Sequence, residues 1–260
     1  IGVDKETYAA NVKYLDEFKQ YKTFKYIKQD IKDLDSLVDC DYVINTAAET
    51  HVDNSIIGTN KFILSNILGV ENLLNLLLTK KHFNIPTFLQ FSTDEVYGDI
   101  VNGKHIETDI LKPSNPYSAS KAAADMLVLA WARTYNIPYL IVRPTNNYGI
   151  GQYGEKFIPK TCKHLLLNKK IPLHENGKPI RTWLHVSDMV EGIVTLIKQE
   201  KKNEIYNISG NFEIQNIEVA KKIISNYTNS ETNYEQYFDF SFNRIGQDVR
   251  YAIDDTKLQG

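Results

Sequence analysis

Two adjacent carboxylates, Asp94 and Glu95, follow two hydroxyl residues, Ser92 and Thr93, and lead into Val96-Tyr97-Gly98. Further along, Tyr117-Ser118-Ala119-Ser120-Lys121 sets a phenol and an ammonium one helical turn apart on one face. A tyrosine is a poor base at neutral pH, its ordinary pKa lying near ~10. A lysine one turn along stabilises the phenolate by its charge. Such a tyrosine can take a proton from a sugar or alcohol hydroxyl while a nicotinamide takes the hydride. Two carboxylates in unlike environments can serve as acid and base in one site. Elimination of water needs both, a base for the proton next to a carbonyl and an acid for the departing hydroxyl. Each feature also has a plainer reading. Y-x-x-x-K recurs by chance on amphipathic helices, and adjacent acids in a turn are commonly just solvated.

The elements that must position these groups alternate in type. Apolar runs at Ile1–Val3, Phe24–Lys28, Tyr42–Thr46, Thr87–Phe91 and Tyr139–Arg143 read as strands. Asp94 and Glu95 thus fall just past the end of a buried strand, where open parallel sheets bind ligands. Between the strands, Tyr14–Phe18 reads as a short helical or irregular segment and Asp33–Val38 as one or two helical turns. Phe62–Thr79 and Ser118–Tyr135 read as helices that are apolar on several faces, so each must bury more than one. Strand–helix alternation predicts βαβ units and a parallel sheet. The fold class expected is α/β, a Rossmann-type doubly wound sheet at 1–145 with a smaller, interleaved C-terminal α/β substrate lobe at 146–260. In that lobe helices are expected at 158–167, at 187–198 with Ser187 as N-cap, and at 217–227, with a strand at 205–208.

The 260 residues suffice for one large core or for two domains. A net charge of −2 gives no electrostatic reason to expect nucleic acid or a membrane surface. No run approaches ~18 consecutive apolar residues, so no membrane-spanning helix is expected. Two cysteines, Cys40 and Cys162, make no disulfide framework, and a reduced, cytoplasmic setting follows. Neither the cysteines nor the six histidines have metal-ligand spacing, so no metal is expected. Asp4, at a strand tip, could accept from ribose hydroxyls, which favours NAD over its phosphorylated relative; a solvated turn aspartate fits the position as well. Arg181 and Arg244 are candidates for a diphosphate clamp, or simply surface arginines.

Ser92-Thr93-Asp94-Glu95-Val96-Tyr97-Gly98, YSASK at 117–121, NNYG at 146–149 and RTWLHVSD at 181–188 together resemble the nucleotide-sugar 4,6-dehydratases, a branch of the extended short-chain dehydrogenases. DKETYAAN at 4–11, TAAETHVDNSI at 46–56 and RYAID at 250–254 extend the likeness over nearly the whole chain. The resemblance implies a cycle of C4 oxidation, loss of water across C5 and C6, and reduction at C6, with NAD regenerated. It implies Tyr117 as the C4 base beside Lys121, Glu95 as the base at C5, Asp94 as the acid for the C6 hydroxyl, and Thr93 as a holder of the C4 oxygen. Asp4, Lys5, Asp30, Ile31, Ala47, Ala48, Ser65 and Asn147 would line the NAD site with Tyr117 and Lys121. Thr50, Asn146, Lys156, Phe157, Leu173, His174, Arg181, Asn216 and Arg244 would face the nucleoside-diphosphate sugar. A homodimer through helices 62–79 and 118–135 is implied, and their surplus apolar surface fits that independently.

The family opens with a strand and a Gly-rich turn that cradles a diphosphate at a helix N-terminus, and this first βα unit is expected ahead of Ile1. His174 stands where the family usually has tyrosine, and Arg244-Ile245-Gly246-Gln247-Asp248 replaces its RPGHD, so UDP rivals dTDP as the nucleotide and an N-acetylamino sugar rivals glucose. A sugar-nucleotide epimerase or decarboxylase of the same fold is the alternative enzyme, disfavoured by the paired acids. A non-catalytic nucleotide-sugar-binding relative is the third reading.

Overall fold

The structure, a computed structural model, describes residues 1–79, 85–229, 233–242 and 248–260. In chain order the elements are β1 (Gly2–Asp4), α1 (Lys13–Lys19), β2 (Tyr26–Lys28), β3 (Tyr42–Asn45), α2 (Val52–Ile57), α3 (Asn60–Leu78), β4 (Thr87–Phe91) and α4 (Pro116–Tyr135). They continue as β5 (Tyr139–Pro144), β6 (Asn146–Tyr148), α5 (Phe157–Leu166), β7 (Ile171–Pro172), β8 (Ile180–His185) and α6 (Val186–Lys198). The last are β9 (Glu204–Ile208), β10 (Glu213–Gln215), α7 (Asn216–Thr228), β11 (Phe238–Asp239) and α8 (Thr256–Gln259).

The chain forms two compact units whose segments alternate along the sequence. Unit 1 holds Ile1–Ser92, Asn115–Val142 and Glu200–Ile205; unit 2 holds Thr93–Ser114, Arg143–Gln199 and Tyr206–Gly260. Residues 93–114, which the sequence reading assigned to the first domain, therefore belong with the second unit.

In unit 1, β1 pairs in parallel with β2, setting Val3 opposite Ile27. β3, β4 and β5 are also parallel, with Ile44 opposite Leu89 and Gln90 opposite Ile141, in the order β3-β4-β5-β9. β4 and β5 read as continuous apolar runs because both faces are covered, as parallel sheets require; Phe88, Leu89, Leu140, Ile141 and Val142 are fully buried. An apolar groove of about 860 Å³ is lined by Val3, Ile27, Leu34 and Leu37 and by Tyr42, Val43 and Ile44 of β3.

α3 and α4 pack on each other and on that core through Val70, Leu73, Leu74, Leu77, Ala124 and Val128. Burying a valine or leucine side chain stabilises by about 1.5–3 kcal/mol. That outweighs the ~1 kcal/mol that Gly69 costs inside α3. A Cβ there would lie 2.7 Å from Ile31 Cδ1, so any larger residue would have to push the Ile31 side chain aside. By length and composition α3 could cross a membrane, but half of it is buried inside the protein, as in a core helix. Its stretch Ile63–Leu68 is wound as π-helix, which brings Ser65 and Asn66 to the buried face. π-turns of this kind are frequent at functional sites.

α4 starts at Pro116, earlier than Ser118. Asn115 caps it in a capping box, its side chain accepting from Ser118 N while Ser118 Oγ accepts from Asn115 N, and proline suits the first helical position. The helical turns expected at Asp33–Val38 do not form. The start signal belongs to Asp30, whose Oδ1 accepts from Lys32 N at 3.1 Å, and the resulting 3-10 turn ends at Asp33 with Leu34 already extended.

Unit 2 contains the sheet β10-β8-β6, with β8 antiparallel to β10 and parallel to β6, and the parallel pair β11-β7. Its core joins Leu165, Ile171, Leu173, Ala220, Ile224 and Phe238. α6 is capped by His185, whose Nδ1 accepts from Ser187 N, rather than by Ser187.

Candidate active site

Unit 1 gathers Asp4, Lys5, Asp30, Ile31, Ala47, Ala48 and Ser65 around one cleft of about 420 Å³, together with Thr7 and Glu49. Asp4 ends β1, and the turn after it places Glu6 N on Asp4 Oδ1 at 2.5 Å. Lys5 crosses the cleft: its Nζ donates to Ser65 Oγ at 2.5 Å and lies 3.4 Å from Asp30 Oδ2 and 3.9 Å from Glu49 Oε1. Asn66, missed by sequence reasoning, ties this wall to the tyrosine helix. Its amide nitrogen donates to Glu49 O and Ser120 Oγ, and its Oδ1 accepts from Glu49 N. The donor set fits a dinucleotide. Carboxylates at two loop ends can accept from hydroxyls, two alanines keep the wall low, and a lysine supplies positive charge.

The second feature of unit 1 is the face of α4. Tyr117 is nearly buried, its N–H on Ser55 Oγ at 3.2 Å and its ring edge-on to Phe62 at 6.3 Å. Lys121 is buried too, its Nζ donating to Phe91 O at the end of β4 at 2.5 Å. Burial pulls its pKa down to about 8, against the opposing charge of Asp125. Thr50 lies exposed on the loop after β3.

In unit 2, Thr93 opens a single 3-10 turn, Asp94–Tyr97, and its Oγ1 accepts from Glu95 N. The same hydroxyl reaches Asp94 Oδ1 at 3.2 Å. Asp94 is 3% exposed, and its Oδ2 is buried without a hydrogen-bond partner. Burial first, then the charge of Glu95, raises its pKa to about 7, while Arg181 pulls the other way. Glu95 is half-buried. Two neighbouring carboxylates thus sit in unlike environments, which is what separates an acid from a base.

The turn is anchored from behind. Tyr97 OH donates to Asn207 Oδ1 and accepts from Arg143 Nη1, both at 2.8 Å, with the guanidinium 4.9 Å over the ring. Gly98 closes it at φ 82, where a Cβ would lie 2.4 Å from Lys112 O. Burial pushes the Tyr97 phenol up to about 12, so it stays neutral. Burial and the charges of Glu95 and Asp248 push Tyr251 up as well. Neither phenol can serve as a base near neutral pH.

Other expected ligand residues are spread through unit 2. Arg181 is buried over the Tyr251 ring at 4.6 Å, with Nη1 and Nη2 donating to the carbonyls of Ile180, Val249 and Asp248. Asn147 Oδ1, Asn216 Oδ1 and Trp183 Nε1 are buried without hydrogen-bond partners. Buried polar groups ordinarily have partners; Trp183 was not singled out from sequence. Asn146 opens β6, Lys156 caps α5, and the Phe157 ring lies 6.1 Å from that of Trp183. His174 begins a turn in which Glu175 and Asn176 are left-handed. Leu173 is a core side chain, 1% exposed, with its N–H on Asp239 O. Arg244 lies outside the described residues.

A family model described as GDP-mannose 4,6 dehydratase matches residues 1–260. The low-salt glycan biosynthesis protein Agl12 of Haloferax volcanii is 39% identical over 263 residues, covering 100% of this chain and 83% of that protein. The dTDP-glucose 4,6-dehydratase of Escherichia coli is 36% identical over 288 residues, covering 100% and 80%. Among solved structures, the dTDP-glucose 4,6-dehydratase DesIV of Streptomyces venezuelae, with NAD and TYD bound, superposes with a TM-score of 0.92 at 33% identity, over 99% of this chain and 79% of that one.

Proposed function

The chain belongs to the nucleotide-sugar 4,6-dehydratases, and from that premise we propose how its residues divide an NAD-dependent dehydration. The reaction turns a nucleoside-diphosphate hexose into its 4-keto-6-deoxy derivative. NAD, when bound, supplies the two-electron acceptor for C4 and returns the electrons at C6. Asp4, Lys5, Asp30, Ile31, Ala47, Ala48 and Ser65 hold it, with Asn147 contributing its unpaired Oδ1. Tyr117 takes the C4 hydroxyl proton, and the Lys121 ammonium stabilises the phenolate. Thr93 holds the C4 oxygen. Glu95 removes the C5 proton, which the new ketone acidifies, and Asp94 protonates the leaving C6 hydroxyl. Thr50, Asn146, Lys156, Phe157, His174, Arg181 and Asn216 bind the sugar nucleotide, and Leu173 contributes through its main chain.

The observation that carries this reading is Asp94. A carboxyl buried beside a second carboxylate and held neutral up to about pH 7 is a proton donor. An epimerase has no leaving group to protonate. The dTDP-glucose 4,6-dehydratases among the relatives make dTDP-glucose the first substrate to try. Incubated with NAD, it should give a product one water lighter by mass spectrometry, with UDP-glucose and UDP-N-acetylglucosamine as parallel arms. A product of unchanged mass in every arm would refute the dehydratase reading.

We also assign a homodimer to the exposed apolar side chains Ile57, Ile63, Leu64, Leu68 and Met126 of α2, α3 and α4. Such a patch on a surface helix marks an association face. Light scattering should give twice the monomer mass, and Leu64→Asp with Leu68→Asp should halve it; a monomeric native protein would rule the dimer out. Cys40 and Cys162 are both outside any disulfide, which fits a cytoplasmic protein.

A further inference from the structure

We propose that Asp125 is a positioning residue for the redox pair, the buried counter-charge that holds the Lys121 ammonium in its charged form beside Tyr117. The inference rests on the reading of Tyr117 and Lys121 as that pair. Positions 117, 121 and 125 recur every fourth residue, so all three side chains lie along one stripe of α4. Asp125 is fully buried. A carboxylate there is costly unless it meets an opposite charge or hydrogen-bond donors.

Both partners are tied to the end of β4. Lys121 Nζ donates to Phe91 O at 2.5 Å, and Asp125 Oδ2 accepts from Ser92 Oγ at 3.0 Å. The strand end thus fixes ammonium and carboxylate one turn apart. Burial favours the neutral amine, and Asp125 is the charge that opposes it. The other acids of the neighbouring loops, Asp30 and Glu49, face Lys5. Tyr117 on the same stripe is the group that gains. A neutral lysine would leave its phenolate without a compensating charge.

The rival explanation is structural: Asp125 could merely bolt α4 to Ser92. Two substitutions separate the accounts. Asp125→Asn removes the charge and keeps the shape, whereas Ser92→Ala removes the bolt and keeps the charge. Lys121 titration is followed by NMR in isotope-labelled protein, and C4 oxidation is followed with dTDP-glucose in the NAD-loaded enzyme. Asp125→Asn should lower the Lys121 midpoint by about one unit or more, a tenfold weaker hold on the proton. It should slow C4 oxidation by about the same factor with KM unchanged, while Ser92→Ala leaves both near native. An unmoved midpoint in Asp125→Asn, or an equal shift in Ser92→Ala, would overturn the proposal. If Asp125→Asn does not fold, Asp125→Glu decides. A native midpoint with turnover retained supports the counter-charge, and a fallen midpoint despite the retained carboxylate refutes it. Tyr117→Phe sets the floor: native turnover there would sink the redox-pair reading itself. An inactive Tyr117→Phe beside a native Asp125→Asn would sink only this inference.

Discussion

Asp94→Asn should give a protein that is nearly inactive and yet melts higher than the native enzyme at pH 8. The stability half follows from proton linkage. Burial raises the Asp94 pKa from 3.8 to about 7. A raised folded-state pKa contributes stability in full below the unfolded value, and that contribution is lost as pH rises through the folded one. Roughly three units at ~1.36 kcal/mol each is on the order of 4 kcal/mol, withdrawn between about pH 4 and pH 7. Asparagine is never charged, so it escapes the loss, although its amide must still find partners. A net gain of about 2 kcal/mol corresponds to roughly 5 °C in melting temperature. The gap should narrow as pH falls from 8 towards 4; a gap independent of pH would show that ionisation of Asp94 is not its cause. The activity half follows from the proton itself. Native turnover should fall as pH rises through about 7, where Asp94 loses the proton it must deliver. Asparagine has none to deliver, and loss of general-acid catalysis costs about 10²–10⁴-fold in rate.

The parts of the fold that were legible in the sequence are those whose cause is local. Thr87–Phe91 reads as a strand because five consecutive residues fill a two-sided sheet, and Asp94 and Glu95 follow it directly. Tyr117 and Lys121 share a helix, so their spacing alone puts them on one face. The illegible parts depend on distant partners. Asp125 looks like any polar helix residue until Ser92, 33 positions earlier, bonds to it; only the fourfold spacing from Lys121 could have drawn notice. Tyr97 is fixed by Asn207, 110 positions later, and by Arg143, so no window around the acidic pair shows what holds it still. The strand Ile180–His185 went unmarked in the sequence, because its partners, Asn146–Tyr148 and Glu213–Gln215, are too short to carry a period. The π-turn at Ile63–Leu68 has no sequence signature at all, yet it sets Ser65 against Lys5 and Asn66 against Glu49. Leu173 shows the converse: a residue placed at the sugar nucleotide by likeness is, by its side chain, part of an apolar core.

Glu95→Gln should stop the reaction one step earlier than Asp94→Asn, and the order in which bonds break separates the two. With Tyr117 and Lys121 intact, C4 oxidation needs neither acid. The Glu95→Gln protein should therefore bind dTDP-glucose, oxidise it, and accumulate a 4-keto hexose that has lost two hydrogens but no water. Glutamine keeps the shape of the half-buried Glu95 and removes only its basicity, so overall turnover should drop by about 10²–10⁴-fold with the fold unchanged. In deuterated water the C5 proton should not exchange, because nothing takes it. Asp94→Asn keeps Glu95, so there the C5 proton should wash out into solvent while the C6 oxygen stays attached. The same pair of variants tests the direction of the assignment. If the roles were exchanged, Asp94→Asn would block C5 exchange and Glu95→Gln would permit it. The electrostatics favour the direction given: Asp94 is the carboxyl that burial holds protonated, and the charge it feels most from a neighbour is that of Glu95. Two adjacent carboxyls in unlike environments give an elimination its acid and its base in the same turn of chain.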